Sequence, residues 1–364
     1  MDWFEVKNAH EIASPSLLVF PERIEKNIDT MVKMAGVAER LRPHVKTYKC
    51  PQVVKMQLEK GINKFKCSTI AEAEMLANCG VKDILLAYQP VGPNIQRFSR
   101  LSTSFSEVLF SAIVDHGTIA SQLSKEAMKY DISIPVYIDI DSGMHRTGIA
   151  ATKAPELYNQ IKKLPGVKYA GLHIYDGHIR DDDFDIRKTR SDDQFEAVND
   201  LIEELKNKGE SVPTIIAGGT PSFPIHAQHD DRILSPGTAL FWDAGYASKF
   251  KEMDFLFAAV LMCRVASKPG QGLICLDLGH KAIASEMLHP RAKIFGIDDY
   301  ELITHSEEHM VIKSNVSANI GEILYAIPTH ICPTVALHEE VQVVVNNEIV
   351  DQWQVVARKR KLEY

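Results

Sequence analysis

The sequence has no run of apolar residues long enough to cross a bilayer. Its start, Met1-Asp-Trp-Phe-Glu5, lacks the basic and apolar regions of a secretory signal. No membrane association is expected, and a cytoplasmic protein is. Cysteine is scarce: six residues spread over 364 form no disulfide framework, and all but Cys332 sit in apolar or helical surroundings that suit inert thiols. Basic excess is missing too. With 41 Lys and Arg against 48 Asp and Glu, the formal net charge of -7 argues against a general nucleic-acid binder. The one short basic run, Arg358-Lys-Arg-Lys361, reads as a solvated tail. Internal repeats and low-complexity segments are also absent. What remains is an ordinary globular composition on a chain too long for one small core, which suits a barrel of about 250 residues plus a second domain.

Between residue 41 and about 240, short β-rich runs alternate with amphipathic helical ones. Eight runs read as strands: Leu41-Lys46, Lys64-Ser68, Ile84-Tyr88, Val108-Val114, Pro135-Ile140, Tyr169-Tyr175, Thr214-Gly218 and Arg232-Gly237. Thr69-Ile-Ala-Glu72 and Ser191-Asp-Asp-Gln194 have the spacing of capping boxes and predict helix starts. Eight such units favour a closed parallel (β/α)8 TIM barrel over an open doubly wound sheet. After about residue 250 the texture becomes alternating, and Asn346-Asn347 sits where a hairpin turn belongs. This predicts a barrel over residues 21–249 and a mainly antiparallel β domain over 250–364, joined by the N-terminal residues 1–20.

Chemistry concentrates at the strand ends, where loops of an α/β barrel converge on one ligand. In Arg42-Pro-His-Val-Lys-Thr-Tyr-Lys49, Lys46 stands where the first strand runs into a helix that has Pro51 in its first turn. A lysine amine there can lose hydration and become nucleophilic toward a carbonyl, the requirement for a Schiff base. The loops after the seventh and eighth strands contain Gly218-Gly219-Thr220 and Gly237-Thr238, small-residue turns that let backbone N–H groups approach an anion. A strand-end lysine with two such turns points to a phosphorylated carbonyl cofactor, and pyridoxal 5′-phosphate fits that description. After the fifth strand, Arg146 can aim at the same face and neutralise a phenolate oxygen, or pair with Asp139 or Asp141. After the sixth, Tyr175 is placed to contact the cofactor and His178 to reach a substrate hydroxyl, or both pack. In Pro328-Thr-His-Ile-Cys-Pro333, an extended backbone would put His330 and Cys332 on one face, where imidazole and thiolate can grip a divalent cation.

Taken in order, Arg42 to Lys49, Asp141-Ser-Gly-Met-His-Arg-Thr-Gly148, Gly218 to Thr220, Pro236-Gly-Thr238 and Pro328 to Pro333 resemble the D-threonine aldolase and eukaryotic-type D-serine dehydratase family over nearly the whole chain. The resemblance implies an alanine racemase-like barrel with a β domain, a homodimer, pyridoxal phosphate and a divalent metal such as zinc, manganese or magnesium. It implies that Lys46 holds the cofactor, that Arg146 faces the phenolate oxygen, that Gly219, Thr220 and Gly237 bind phosphate, and that His330 and Cys332 hold the metal. Asp176-Gly-His178 looks like the aldolase motif, and Ser306-Glu-Glu-His309 looks like a family segment to which no role attaches. The implied activity is aldol cleavage of a D-3-hydroxy amino acid to glycine and an aldehyde. Dehydration to a 2-oxo acid and ammonia uses the same residues. A racemase needs no metal, and a non-catalytic cofactor carrier needs no second domain.

Overall fold

The computed structural model describes residues 1–208 and 213–364. The chain forms two compact units. One comprises Met1–Thr30, Thr47–Val53 and Thr238–Arg358; the other comprises Met31–Lys46, Val54–Gly237 and Lys359–Tyr364. Strand β1 (Ser16–Val19) belongs to the first of these.

The second unit is built on seven parallel strands in chain order: β2 (Lys64–Cys67), β3 (Asp83–Leu86), β4 (Leu109–Val114), β5 (Ile134–Ile140), β6 (Val167–Ile174), β7 (Thr214–Ala217) and β8 (Arg232–Leu234). A helix follows each strand from β2 to β7, as right-handed crossovers between parallel neighbours require. The expected first strand, Leu41–Lys46, does not form. Pro43 has no N–H to give to a ladder, and Val45–Thr47 winds into a 3-10 turn. The segment nevertheless occupies the eighth barrel position. Leu41 bridges Leu234 and His44 bridges Lys66, both in parallel sense, so residues 41–44 link the last strand to β2. Arg42 N–H donates to the Leu234 carbonyl at 2.8 Å, and Lys66 N–H donates to the Pro43 carbonyl at 2.9 Å. Inside the curled sheet, Leu85, Ile113, Tyr137 and Ile216 form one buried cluster, so the barrel interior is packed rather than hollow.

Of the two predicted capping boxes one holds. Thr69 Oγ1 accepts from the Glu72 N–H at 3.1 Å, and the Glu72 carboxylate reaches back to the Ser68 N–H at 2.6 Å, opening helix Ile70–Asn78. Ser191 opens nothing. It lies inside helix Phe184–Asn207, whose N-cap is Asp183, accepting from the Ile186 N–H at 2.9 Å. The Ser-x-x-Gln spacing also arises where a serine merely sits on a helix's buried face, as Ser191 does.

The first unit carries a mainly antiparallel sheet. Its strands after β1 are β9 (Ala259–Ser267), β10 (Leu273–Leu276), β11 (Ala292–Ile294), β12 (Glu301–His305), β13 (Met310–Lys313), β14 (Ile323–Pro328), β15 (Glu340–Val345) and β16 (Glu348–Gln354). The order runs β12-β13-β10-β9-β1-β15-β16, and β14 pairs with both β9 and β11. β1 is antiparallel to β9 and parallel to β15, so the N-terminal run joins this sheet. Asn346 and Asn347 both have positive φ, 52° and 62°, which a two-residue hairpin turn demands and asparagine tolerates. Leu18, Phe20, Val260, Met262, Ile327 and Val344 form the centre of its core.

Candidate active site

Within the barrel unit, the strand ends gather positive charge around one aromatic ring. The Tyr175 ring centroid lies 5.6 Å from Lys46 Nζ, 5.7 Å from Lys66 Nζ and 4.9 Å from Arg146 Cζ. Lys46 is held by the tight turn Val45–Thr47, and its own N–H donates to His44 Nδ1 at 3.2 Å. Arg146 does not take the carboxylate partners proposed for it. Asp139 accepts from His173 Nδ1 at 2.7 Å and from Thr147 Oγ1 at 3.0 Å, while Asp141 accepts from the Gly143 and His145 N–H groups and pairs with the His145 ring. The guanidinium is left over the ring of Tyr175.

The two glycine turns meet in the same unit. Gly237 N–H donates to Thr220 Oγ1 at 3.1 Å. A Cβ on Gly219 would stand 2.8 Å from the Tyr175 ring, so this turn packs its bare backbone against the ring that the cations surround. Behind the turn lies a buried polar chain. Asp176 accepts from Ser222 Oγ at 2.6 Å and from His226 Nε2 at 2.8 Å, and His226 Nδ1 contacts Arg232 Nη1 at 2.7 Å. Burial alone would raise the Asp176 pKa, but His226 and the Ser222 hydroxyl outweigh it and hold it below the usual carboxylate value. Gly218 closes the turn with φ +72°, and a Cβ there would lie 2.4 Å from the His226 ring. Gly218→Ala combines a left-handed non-glycine residue with overpacking, so about 2 to 4 kcal/mol of stability should be lost. Urea unfolding of the two proteins measures this, and an unchanged midpoint would contradict the account of the turn.

His178 lies beyond the end of β6, and among the described residues neither of its ring nitrogens has a hydrogen-bond partner although both atoms are buried. Ser142 Oγ and Gln194 Oε1 are likewise buried and unpartnered. All three belong to one place: a Cβ on Gly143 would stand 3.2 Å from Gln194 Nε2 and 3.4 Å from His178 Nε2. Buried polar atoms without partners are costly unless a ligand or water completes them.

The sheet unit holds the imidazole and thiol pair, with a correction to its backbone. Cys332 is not in an extended segment. It sits in the first turn of helix Ile331–Leu337, with extended His330 as its N-cap. The pair still converges, with the Cys332 sulfur bonded to the His330 ring. Burial opposes a charge on His330, but Cys332, Glu286 and Asp243 outweigh it and its pKa is pushed up to about 9. Glu286 Oε1 pairs with His330 Nδ1 at 2.5 Å, and Asp243 Oδ2 accepts from the Ile331 N–H at 3.1 Å. Cys332 Sγ also contacts Thr47 Oγ1 at 3.1 Å and Thr238 Oγ1 at 3.3 Å. Thr238, one of the expected phosphate ligands, is thus placed in this unit with its hydroxyl on the thiol.

The alanine racemase N-terminal domain model matches residues 20–244, more than half of the chain. The chain belongs to that family. A serine dehydratase domain model matches residues 258–344. A D-threonine aldolase of Arthrobacter sp. is 28% identical over 358 residues, covering 95% of this chain and 93% of its own. A 3-hydroxy-D-aspartate aldolase of Paracoccus denitrificans (strain Pd 1222) is 27% identical over 362 residues, with 96% and 92% covered. Among solved structures, the D-threonine aldolase of Filomicrobium marinum superposes with a TM-score of 0.88 at 25% identity, covering 96% of each chain. The fold is therefore alanine racemase-like, as the sequence implied, a parallel curled sheet with a separate β domain.

The residues of this alanine racemase-family barrel fit pyridoxal phosphate. They offer amines for an aldehyde, on Lys46 and Lys66, a guanidinium with no carboxylate partner among the described residues, and a bare-backbone turn beside a hydroxyl. The sheet unit fits a divalent cation only in donor chemistry. Glu286 occupies Nδ1 of His330, which fixes the ring and leaves Nε2 and the thiolate as two ligands, a carboxylate-backed arrangement familiar from metal sites. Among the described residues no group of three His, Cys, Asp or Glu side chains gathers to hold a metal. Lys66, His173 and His226 were not singled out from the sequence, and Asp176 entered only as part of the Asp176-Gly-His178 motif. The available signal was a lysine alternating with apolar residues in Lys64-Phe-Lys-Cys67, a pattern shared by half-exposed strands.

Proposed function

We propose that this protein is a pyridoxal phosphate-dependent lyase that cleaves D-3-hydroxy amino acids between Cα and Cβ, giving glycine and an aldehyde. The observation that carries the cleavage reading is the His178 imidazole, without a hydrogen-bond partner among the described residues, beyond the end of β6 and three residues after the ring shared by Lys46 and Arg146. Bound pyridoxal phosphate supplies an electron sink conjugated to Cα. Lys46 provides the amine that attaches it and that can return a proton to Cα once the bond has broken. Arg146 places positive charge where an anionic oxygen needs it, and its rigid fork limits rotation of the group it holds. The small-residue turn from Gly218 to Thr220 would take the phosphate group, its shape set by Asp176 through Ser222 and His226 and by the Gly218 N–H, which donates to the Ile174 carbonyl at 2.9 Å. His178 removes the proton of the substrate's β-hydroxyl, since a ring nitrogen with no other bond is open to accept it. A divalent cation held by His330 and Cys332 would supply a Lewis acid for a substrate oxygen. The relatives named for aldol cleavage of D-configured hydroxy amino acids support the substrate class. Homodimer formation is part of the same reading and is checked by sedimentation.

The serine dehydratase domain match keeps dehydration as the second reading, because loss of the β-hydroxyl draws on the same residues. Purified holoenzyme incubated with D-threonine and with D-serine separates the two. Glycine and acetaldehyde from D-threonine, with L-threonine inert, is the expected result. Ammonia and a 2-oxo acid without glycine would identify a dehydratase instead.

A further inference from the structure

The segment Ser306-Glu-Glu-His309 and the histidine before it have no part in the proposed reaction, yet they fasten the loop that carries Glu286. That loop runs from Leu278 to Arg291, and one ring ties its two ends together. His305, the last residue of β12, has Nε2 3.0 Å from the Leu278 carbonyl and Nδ1 3.0 Å from Arg291 Nη1. A guanidinium can only donate, so His305 accepts on Nδ1 and carries its proton on Nε2, which donates to Leu278. Burial outweighs the Leu278 bond, and His280, Arg291 and His289 add to it, so the ring resists charging and its pKa is brought down to about 4, in keeping with that tautomer. The turn that follows secures the start of the loop. Ser306 N–H donates to the His309 carbonyl at 2.8 Å, and the Ser306 and Glu307 carbonyls accept from the His280 and Lys281 N–H groups at 2.9 and 3.1 Å. Gly279 packs its bare backbone on the same turn, since a Cβ there would stand 2.1 Å from the Glu307 carbonyl oxygen.

The other end of the loop leads to the imidazole and thiol pair. Arg291 Nε donates to the Met287 carbonyl at 2.9 Å, and Met287 follows Glu286, whose Oε1 lies 2.5 Å from His330 Nδ1. The Arg291 carbonyl accepts from the N–H of Thr329, the residue before His330, at 2.8 Å. We propose that His305 is a positioning residue for the cation site: by fixing the Arg291 guanidinium it holds the Met287 carbonyl, and so sets the Glu286 carboxylate on His330. This rests on His330 and Cys332 holding the divalent cation. The Glu286 side chain is 48% exposed, so its own surroundings do little to hold it. An exposed carboxylate loses rotamer freedom to keep one bond, and a backbone fixed beside it lowers that cost. A planar guanidinium engaged through two of its nitrogens keeps a set angle between His305 and Met287, which a lysine amine cannot.

The test uses the full-length, cofactor-loaded protein with zinc as the probe, its affinity read by competition against a chelator of known strength. His305→Phe keeps a ring without charge but loses both bonds, and should weaken zinc by about tenfold while the visible cofactor absorbance stays unchanged. His305→Asn offers an amide oxygen to Arg291 and should stay within about threefold of the unmodified protein. Arg291→Lys keeps the charge but not the fork, so it should match His305→Phe. It also decides the matter if His305→Phe fails to fold. A double variant separates positioning from general loosening: His305→Phe with Glu286→Gln should bind zinc within about twofold of Glu286→Gln alone, because both changes act through one carboxylate. Unchanged zinc affinity in either His305→Phe or Arg291→Lys would overturn the proposal. Additive losses in the double variant would also overturn it, as would equal losses in His305→Asn and His305→Phe, which would trace the effect to packing. His330→Ala keeps the two levels apart. Zinc held as tightly by His330→Ala as by the unmodified protein overturns the cation site itself, whereas a loss in His330→Ala with His305→Phe unshifted overturns only the role of His305.

Discussion

Lys46→Ala is expected to purify without visible cofactor absorbance, to yield no pyridoxyl peptide after borohydride reduction, and to lose D-threonine cleavage by on the order of a thousandfold or more. The size follows from two losses at once, the amine that attaches the cofactor and the group that returns a proton to Cα. Lys46→Arg should fare no better, since a guanidinium stays protonated and cannot attack an aldehyde. Lys46 is suited to the task by its setting. A three-residue turn after the barrel's eighth position fixes its backbone, and its amine approaches a ring it shares with Arg146 and Lys66. Full activity in Lys46→Ala, or a pyridoxyl group on another lysine, would remove the central assignment.

Chelation is expected to abolish turnover while leaving the visible cofactor absorbance in place, and added divalent cation should restore it. His330→Ala and Cys332→Ala should each behave as the chelated enzyme does. Glu286→Gln should weaken the cation by about tenfold to a hundredfold without removing a ligand, because the carboxylate on Nδ1 orients the ring and raises the basicity of Nε2. Titrating activity against free metal in each variant measures this. A chelated protein with full activity would discard both the site and the Lewis-acid role given to it. Loss of the cofactor absorbance in His330→Ala would show that the pair acts structurally.

The alternation of apolar runs and amphipathic helices and the Asn-Asn hairpin were legible in the sequence because each depends on local periodicity or on backbone preferences of single residues. His330 with Cys332 was legible as a pair but not in its backbone, since the two side chains meet across a helix start and not along an extended strand. The first barrel strand was misread for a related reason. Leu41 to Lys46 has strand-like composition, yet Pro43 cannot donate to a ladder, and residues 41–44 hold their place through isolated bridges to Leu234 and Lys66. Asp176 looked like part of a histidine motif and proved to be the anchor of a turn more than 40 residues on, through Ser222 and His226.

By itself the sequence determined that this chain makes a parallel barrel and a β domain, and which few residues have the chemistry for a phosphorylated carbonyl cofactor and a cation. Only the tertiary structure decided which of them act together. Barrel closure brings β2, β5 and β6 to one interior, so that Lys66, His173 and Asp139, separated by many residues in the chain, become one hydrogen-bonded chain next to Tyr175. Periodicity reports which side of an element is buried, but a lysine on an inward face has a charge partner only if another strand supplies it, and that depends on long-range register.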